Sequence, residues 1–358
     1  MNSVTVCTPQ QLVTELWDAV LALDEPSALA IVLGALDNGM GAESALLDVI
    51  AAVQGRVGEE WAANRITVAQ EHAATAINER AVAALARHAG ACTSSARGRI
   101  TVACVDGEWH ALPARLLAEV LRLRGWHVDY LGAQVPTPHL IAHLHRTGPE
   151  AVALSSSIPT RLPAAHATIT ACQAAGIPVM VGGAAFGPVG QYARLLGADA
   201  WAPDARTAAD DLARHPLPRP QPGHQPIDDL PHLSDQEYTL VARTRLALVR
   251  TVLVGLEEAY PAMRGYTESQ RERTAEDLSH IVEFLATALY TDDAELFSRF
   301  LLWTADVLGA RRVPAHSLLP ALDLLGQELK DFPRAAETLR AGAARLTSTP
   351  LTAPGTAS

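Results

Sequence analysis

From Pro9 to Ala89 apolar positions recur at three- and four-residue spacing, broken at Asp24-Glu25-Pro26 and at Asn38-Gly39-Met40-Gly41. That pattern predicts about four short helices gathered into a small bundle. At Arg99 the period changes. Ile100-Thr101-Val102-Ala103-Cys104-Val105 is a short, β-branched run closed by Asp106-Gly107, and similar runs fall at Trp126–Leu131, Ala151–Ser155, Pro178–Val181 and Ala200–Trp201. Helical stretches separate these runs, so the segment is expected to form a doubly wound parallel sheet.

Between Pro203 and Pro231 the chain carries Pro216, Pro218, Pro220, Pro222 and Pro226. Such a stretch forms neither helix nor central strand and reads as a semi-rigid linker. Beyond Leu233 helical spacing returns through about Leu346, with Ser234 and Asp235 as N-cap candidates and breaks at Pro261, Asp292-Asp293, Pro314 and Pro333. The expected organisation is therefore multidomain, α and α/β. It has a four-helix bundle over 1–93, a Rossmann-like domain over 98–210, a linker over 211–233, an all-α domain over 234–347 and a loose tail over 348–358.

Composition narrows the partners. The 358 residues carry a formal net charge of -11, a field that repels phosphate and argues against nucleic acid as a direct partner. No run approaches the ~18 consecutive apolar residues of a membrane span. The four cysteines, Cys7, Cys92, Cys104 and Cys172, lack metal-ligand spacing. With no basic stretch and apolar core at the N-terminus, a reduced, cytoplasmic setting is expected.

Candidate chemistry begins directly after the first strand, in Asp106-Gly107-Glu108-Trp109-His110-Ala111-Leu112-Pro113. This places an imidazole at the carboxyl end of a parallel strand, the edge where open α/β sheets bind ligands. A neutral histidine suits a borderline transition metal, and a nearby carboxylate, Asp106 or Glu108, can accept its second N–H. Ser155-Ser156-Ser157 and Gly182-Gly183 follow later strands at the same edge. Taken singly they read as a helix-capping cluster and an ordinary turn. Together they can cradle a buried tail and admit a large ring.

In this order the residues resemble the cobalamin-binding module of methionine synthase and its relatives, with an acid-x-His loop, a serine element and a glycine pair. The resemblance covers 98–210. It implies that His110 is the lower axial ligand of cobalt, displacing the vitamin's dimethylbenzimidazole into a slot lined by Ser155, Ser157, Gly182 and Gly183. Asp106, Glu108 and Trp109, in the same loop, are further candidate cofactor-binding residues. Pro113 stands where the family's loop has glycine, a change that fixes φ but suits a first helical turn.

In the bundle, Trp61 precedes Glu71-His72 by ten and eleven positions, and Asn64–Thr67 is expected to break the helix, so that Trp61 and His72 come from adjacent helices. Read alone, Trp61 is a core or interface aromatic, and Glu71-His72 a solvated helix face. Ahead of a corrinoid module, however, the spacing resembles CarH-type cobalamin photoreceptors. The resemblance implies that the three side chains cover the adenosyl group of adenosylcobalamin, that light breaks the cobalt–carbon bond, and that the bundle then moves. Ala62 stands where that family often supplies a second histidine, so a bis-histidine product must use another residue, His72 being nearest, or not form. CarH-type regulators also begin with a winged-helix domain; only about ten residues precede the bundle here, and direct transcriptional repression is not expected.

The succession of bundle, cobalamin module and helical, globin-like tail resembles the photocobilins. This implies a second chromophore, biliverdin, in the C-terminal domain. No cysteine lies beyond Cys172, so the bilin must be held non-covalently. His280 and Trp303 are the candidate neighbours, offering a polar partner and an aromatic face. Arg243, Arg245, Arg250, Arg271 and Arg273 are candidate partners for its propionates. A homo-oligomer or a light-dependent protein partner is the expected means of output. Two other functions fit the same architecture: a corrinoid methyl carrier, which needs an open upper face, and an adaptor that reads cobalamin without light.

Overall fold

The computed structural model describes residues 8–89, 97–220, 230–259 and 261–348. Pro222, Pro226, Cys7, Cys92 and the tail from 349 onward lie outside the described residues. The chain divides into two compact units, 1–227 and 228–358.

In the first unit, helices α1 (Pro9–Leu21) and α2 (Glu25–Asp37) begin where polar caps permit. Thr8 and Gln11 form a reciprocal capping box, and the Asp24 carboxylate accepts from the Ser27 N–H at 3.1 Å. The turn at Asn38–Gly41 needs Gly39 at φ +91°. A continuous helical run follows, comprising α3 (Ala42–Ser44), a π turn (Ala45–Ile50) and α4 (Ala51–Ala62). The wider π turn brings Ala45, Leu46, Val49 and Ile50 to one buried face. As the sequence predicts, the chain breaks after α4 and restarts at Thr67, which caps α5 (Val68–His88) with Gln70. Trp61 and His72 thus sit on adjacent helices.

Five parallel strands form one sheet in the order β2-β1-β3-β4-β5: β1 (Arg99–Cys104), β2 (His127–Gly132), β3 (Ala151–Ser155), β4 (Val179–Gly182) and β5 (Ala200–Ala202). Each coincides with a predicted run to within one or two residues; the central strands β1, β3 and β4 are buried on both faces and read as nearly unbroken apolar segments, while the edge strand β2 is interrupted by His127 and Asp129. The connecting helices are α6 (Ala111–Leu123), α7 (Thr137–Thr147), α8 (Leu162–Ala174), α9 (Gln191–Leu195), with α10 (Ala205–Arg214) after the last strand. Only the β1-to-β2 connection runs leftward in this order, so right-handed crossovers put α6 on the face opposite α7, α8 and α9. Helix α10 packs on α6. The bundle helices share one hydrophobic core with α6, α10 and that face of the sheet, from Leu16, Leu46 and Leu85 through Val102, Leu121 and Ala209.

The second unit is all helical: α11 (Glu237–Ala259), α12 (Glu268–Thr291), α13 (Ala294–Ala310), α14 (Leu319–Glu328) and α15 (Pro333–Ser348). Its breaks fall at the expected prolines and at Asp292-Asp293, where Asp292 takes a left-handed cap and Asp293 caps α13. One expectation is corrected. The first helix does not start on a Ser234 cap, because 231–235 form a 3₁₀ turn and Asp235 alone accepts from the Glu237 N–H at 2.9 Å. Glu237 itself is buried and accepts from the Arg334 and Ala335 N–H groups at 3.2 and 2.8 Å, capping α15 from across the core.

Candidate functional site

The loop after β1 is fixed before its histidine is reached. Glu108 donates its N–H to Val105 and accepts from Gln134 through its carbonyl, and its side chain turns inward to complete burial. One carboxylate oxygen accepts from the His110 N–H at 2.9 Å and meets His110 Nδ1 at 2.6 Å. The other accepts from Ser156 Oγ at 3.1 Å and from the Ser157 and Ile158 N–H groups at 2.7 and 3.1 Å. Burial alone would raise this carboxyl, but the hydrogen bonds from His110, Ser157 and Ile158 together outweigh it and hold its pKa at about 2.

An ionised carboxylate can only accept, so His110 Nδ1 is the donor and Nε2 is the ring nitrogen left to act as a ligand. That nitrogen has no partner among the described residues, and the side chain is 41% exposed. Of the two carboxylates that the sequence leaves open as His110's partner, the geometry employs Glu108; Asp106 is exposed and outside the network. Trp109 is 54% exposed, with its ring 4.9 Å from the imidazole and tilted by 39°. His110 is the N-cap residue of α6 and Pro113 lies in that helix's first turn, where a missing N–H costs nothing. The departure from glycine is accommodated.

Ser155 and Gly182 pair across β3 and β4 at the same edge. With Pro113, Ala114, Gly183 and Ala205 they line a cavity of about 110 Å³ between the sheet, α6 and α10. Gly183 has φ +98°, and a Cβ there would fall 2.2 Å from the Ser156 carbonyl oxygen. The chain's own backbone therefore demands this glycine, whatever the cavity holds. Ser157 contributes its backbone N–H and Ser156 its hydroxyl. The sequence offers the run Ser155–Ser157 and the resemblance carries Ser155 and Ser157 forward as slot residues; the role of Ser156, whose hydroxyl reaches Glu108 from far along the chain, leaves no local signal.

Trp61 is half-buried at the end of α4 and packs against the shared core. Glu71 meets His72 Nδ1 at 2.6 Å and accepts from Thr75 Oγ1 at 3.0 Å, all within α5. The imidazole of His72 remains exposed. Thr75 and Asn78 continue the polar strip to Gln54 of α4.

In the second unit His280 and Trp303 are both exposed. Each lies one turn from a stacked aromatic pair, Phe284 of α12 and Phe300 of α13, whose centroids are 3.8 Å apart. Arg245 pairs with Glu283 and Arg271 with Glu257, so two of the five candidate arginines already have carboxylate partners. The described cysteines, Cys104 and Cys172, are buried and their thiols are pushed up to about 12 by that burial.

Residues 98–213 match the family model described as a B12 binding domain, and residues 12–86 match a second B12 binding domain model. Over 191 residues the chain is 32% identical to the HTH-type transcriptional repressor CarH of Myxococcus xanthus, covering 52% of this chain and 56% of that protein. It thus spans little more than half the relative's length. Among solved structures it is similar to the monomethylamine corrinoid protein of Methanosarcina barkeri, with 20% identity and a TM-score of 0.49 over 57% of this chain and 97% of that one. It is also similar to a cobalamin-binding protein from Desulfitobacterium hafniense, with 22% identity and a TM-score of 0.32 over 57% and 97%. Neither structural likeness is close enough to bear on mechanism. The two B12-binding matches support a cobalamin-binding first unit, and among the described residues no helix is long and apolar enough to cross a membrane.

Proposed function

We propose that the chain is a cobalamin-dependent photoreceptor in which His110 ligates cobalt from below. The observation that carries this reading is the aimed imidazole: Nδ1 is tied to a buried carboxylate and Nε2 is free at the carboxyl edge of the sheet. The donor set fits a corrinoid. His110 would supply one imidazole nitrogen to the corrinoid's cobalt, and the adjoining cavity, lined by small residues, would take the vitamin's nucleotide tail. In this reading Glu108 keeps the imidazole in one tautomer and one orientation, and the Ser155–Gly183 edge accepts the nucleotide tail.

When bound, adenosylcobalamin supplies a cobalt–carbon bond that visible light breaks. In this reading Trp61, Glu71 and His72 would meet the adenosyl group, as an apolar face and a hydrogen-bonding pair; the likeness to CarH-type proteins and the Glu71–His72 contact support it. Loss of contacts that one bundle position alone can make shifts the equilibrium between positions. In the second unit His280 and Trp303, each one turn from the Phe284–Phe300 stack, are the residues that would hold biliverdin without a covalent bond.

The test is to load purified protein with adenosylcobalamin in the dark and record its spectrum and mass in solution before and after green light. The expected result is a light-driven spectral change with an altered oligomeric state, both weakened in Trp61→Ala. A bound vitamin whose spectrum and assembly ignore light would instead favour a methyl carrier or a light-independent adaptor.

A further inference from the structure

An arginine without a partner stands beside the His110 loop. Arg161 ends the short 3₁₀ turn Pro159–Arg161, directly after the Ser156–Ile158 segment that holds Glu108. Its side chain lies over the backbone of Gly107: a Cβ built there would be 3.4 Å from a terminal guanidinium nitrogen and 3.6 Å from Cδ and Cζ. Its Nε is shut off from solvent and has no hydrogen-bond acceptor. Among the described residues the guanidinium makes no ion pair, not even with the neighbouring exposed Asp106.

A half-buried, five-donor fork with an unanswered N–H is unfavourable in the protein alone. Such a group is explained by an acceptor that arrives with a ligand. Arg161 is placed for one, since the turn that carries it also packs on the Ala184–Phe186 turn after the glycine pair. It therefore sits where the loops following β1, β3 and β4 converge, at the sheet edge that presents His110. It also leads into α8, on the face opposite the α6–α10 cavity assigned to the nucleotide tail.

On the reading of the site given above, we propose that Arg161 hydrogen-bonds an amide carbonyl on the rim of the corrin ring. It would fix the ring's rotation over His110. A corrin rim offers several amide oxygens and a planar fork can take them in pairs, which a lysine ammonium does with poorer geometry.

The experiment measures binding of cobalamin and of cobinamide, which keeps the ring amides but lacks the nucleotide tail, to the full chain, Arg161→Ala and Arg161→Lys. It also records the thermal midpoint of each protein without corrinoid. Arg161→Ala is expected to weaken both ligands by roughly tenfold or more, Arg161→Lys to weaken them less, and the ligand-free midpoint to hold or rise. Loss on cobalamin alone would mean that Arg161 serves the tail phosphate, and would overturn the proposal. So would unchanged affinity for both ligands, or a lowered ligand-free midpoint, which marks a structural role. The same substitution in His110→Ala separates the two claims. An undiminished Arg161 effect there, with the cobalt spectrum altered only by the histidine change, supports both, whereas an unsubstituted chain that binds neither corrinoid would remove the functional reading and this proposal with it.

Discussion

Five hydrogen bonds converge on the two oxygens of Glu108, and they explain why Glu108 and not its exposed neighbour Asp106 orients His110. The sequence made the histidine legible through its position after a strand. It could not choose between the two acids, since which one turns inward depends on where the Ser156–Ile158 backbone lies, a contact across some fifty residues of chain. The same long-range geometry governs Gly183. Substituting Gly183→Ala should destabilise the ligand-free protein by about 1–3 kcal/mol, because the new Cβ would overlap the Ser156 carbonyl in a left-handed backbone. Chemical denaturation of the two proteins checks it, and an unchanged midpoint would mean that the turn relaxes.

Elements were the most readable level. All five strands and the interruptions at Asp24, Gly39, Asn64 and Asp292 follow from hydrophobic period and polar punctuation. What period does not carry is how one element is fastened to the next. Arg124 at the end of α6 binds Glu43 of α3 at 2.8 Å and Asp210 of α10, while Arg206 reaches Glu43 and Asp48 at 3.2 Å. This network ties the π turn and the helix before it to the sheet domain. The hydrogen bond from Arg124 is the main reason that the Glu43 carboxyl lies below its ordinary value. A depressed carboxyl stabilises the fold above the ordinary carboxylate range and loses that contribution as pH falls through its folded-state value. Glu43→Gln should therefore cost about 1 kcal/mol near neutrality and progressively less in acid. Thermal midpoints of both proteins across that pH range should converge; a constant gap would exclude the ionic explanation.

In the second unit, Glu237→Ala removes the carboxylate that answers two N–H groups at the start of α15, and should cost about 2 kcal/mol. Calorimetry of the isolated transition of that unit would show it. No turn signature near Pro333 pointed to Glu237, since the cap comes from a residue nearly a hundred positions earlier.

At the scale of the whole molecule, the candidate chemistry of the first unit is written in a few loop residues, whereas that of the second rests on an aromatic stack and scattered arginines. The difference is physical. A metal ligand must be one residue at one place, whereas a non-covalent pigment can rest on many combinations of ring and arginine. Biliverdin added to the full chain is expected to give a red absorption band that is lost on denaturation, since neither Cys104 nor Cys172 lies in the second unit. A band that survives denaturation would contradict that assignment.

The proposed function turns on whether His110 ligates cobalt, and electron spin resonance of the bound, one-electron-reduced vitamin reads this directly. With protein labelled by the heavy nitrogen isotope and unlabelled vitamin, ligation by the imidazole should split each cobalt line into a doublet. A triplet from the vitamin's own unlabelled base, or no nitrogen splitting at all, would show that His110 does not hold the metal.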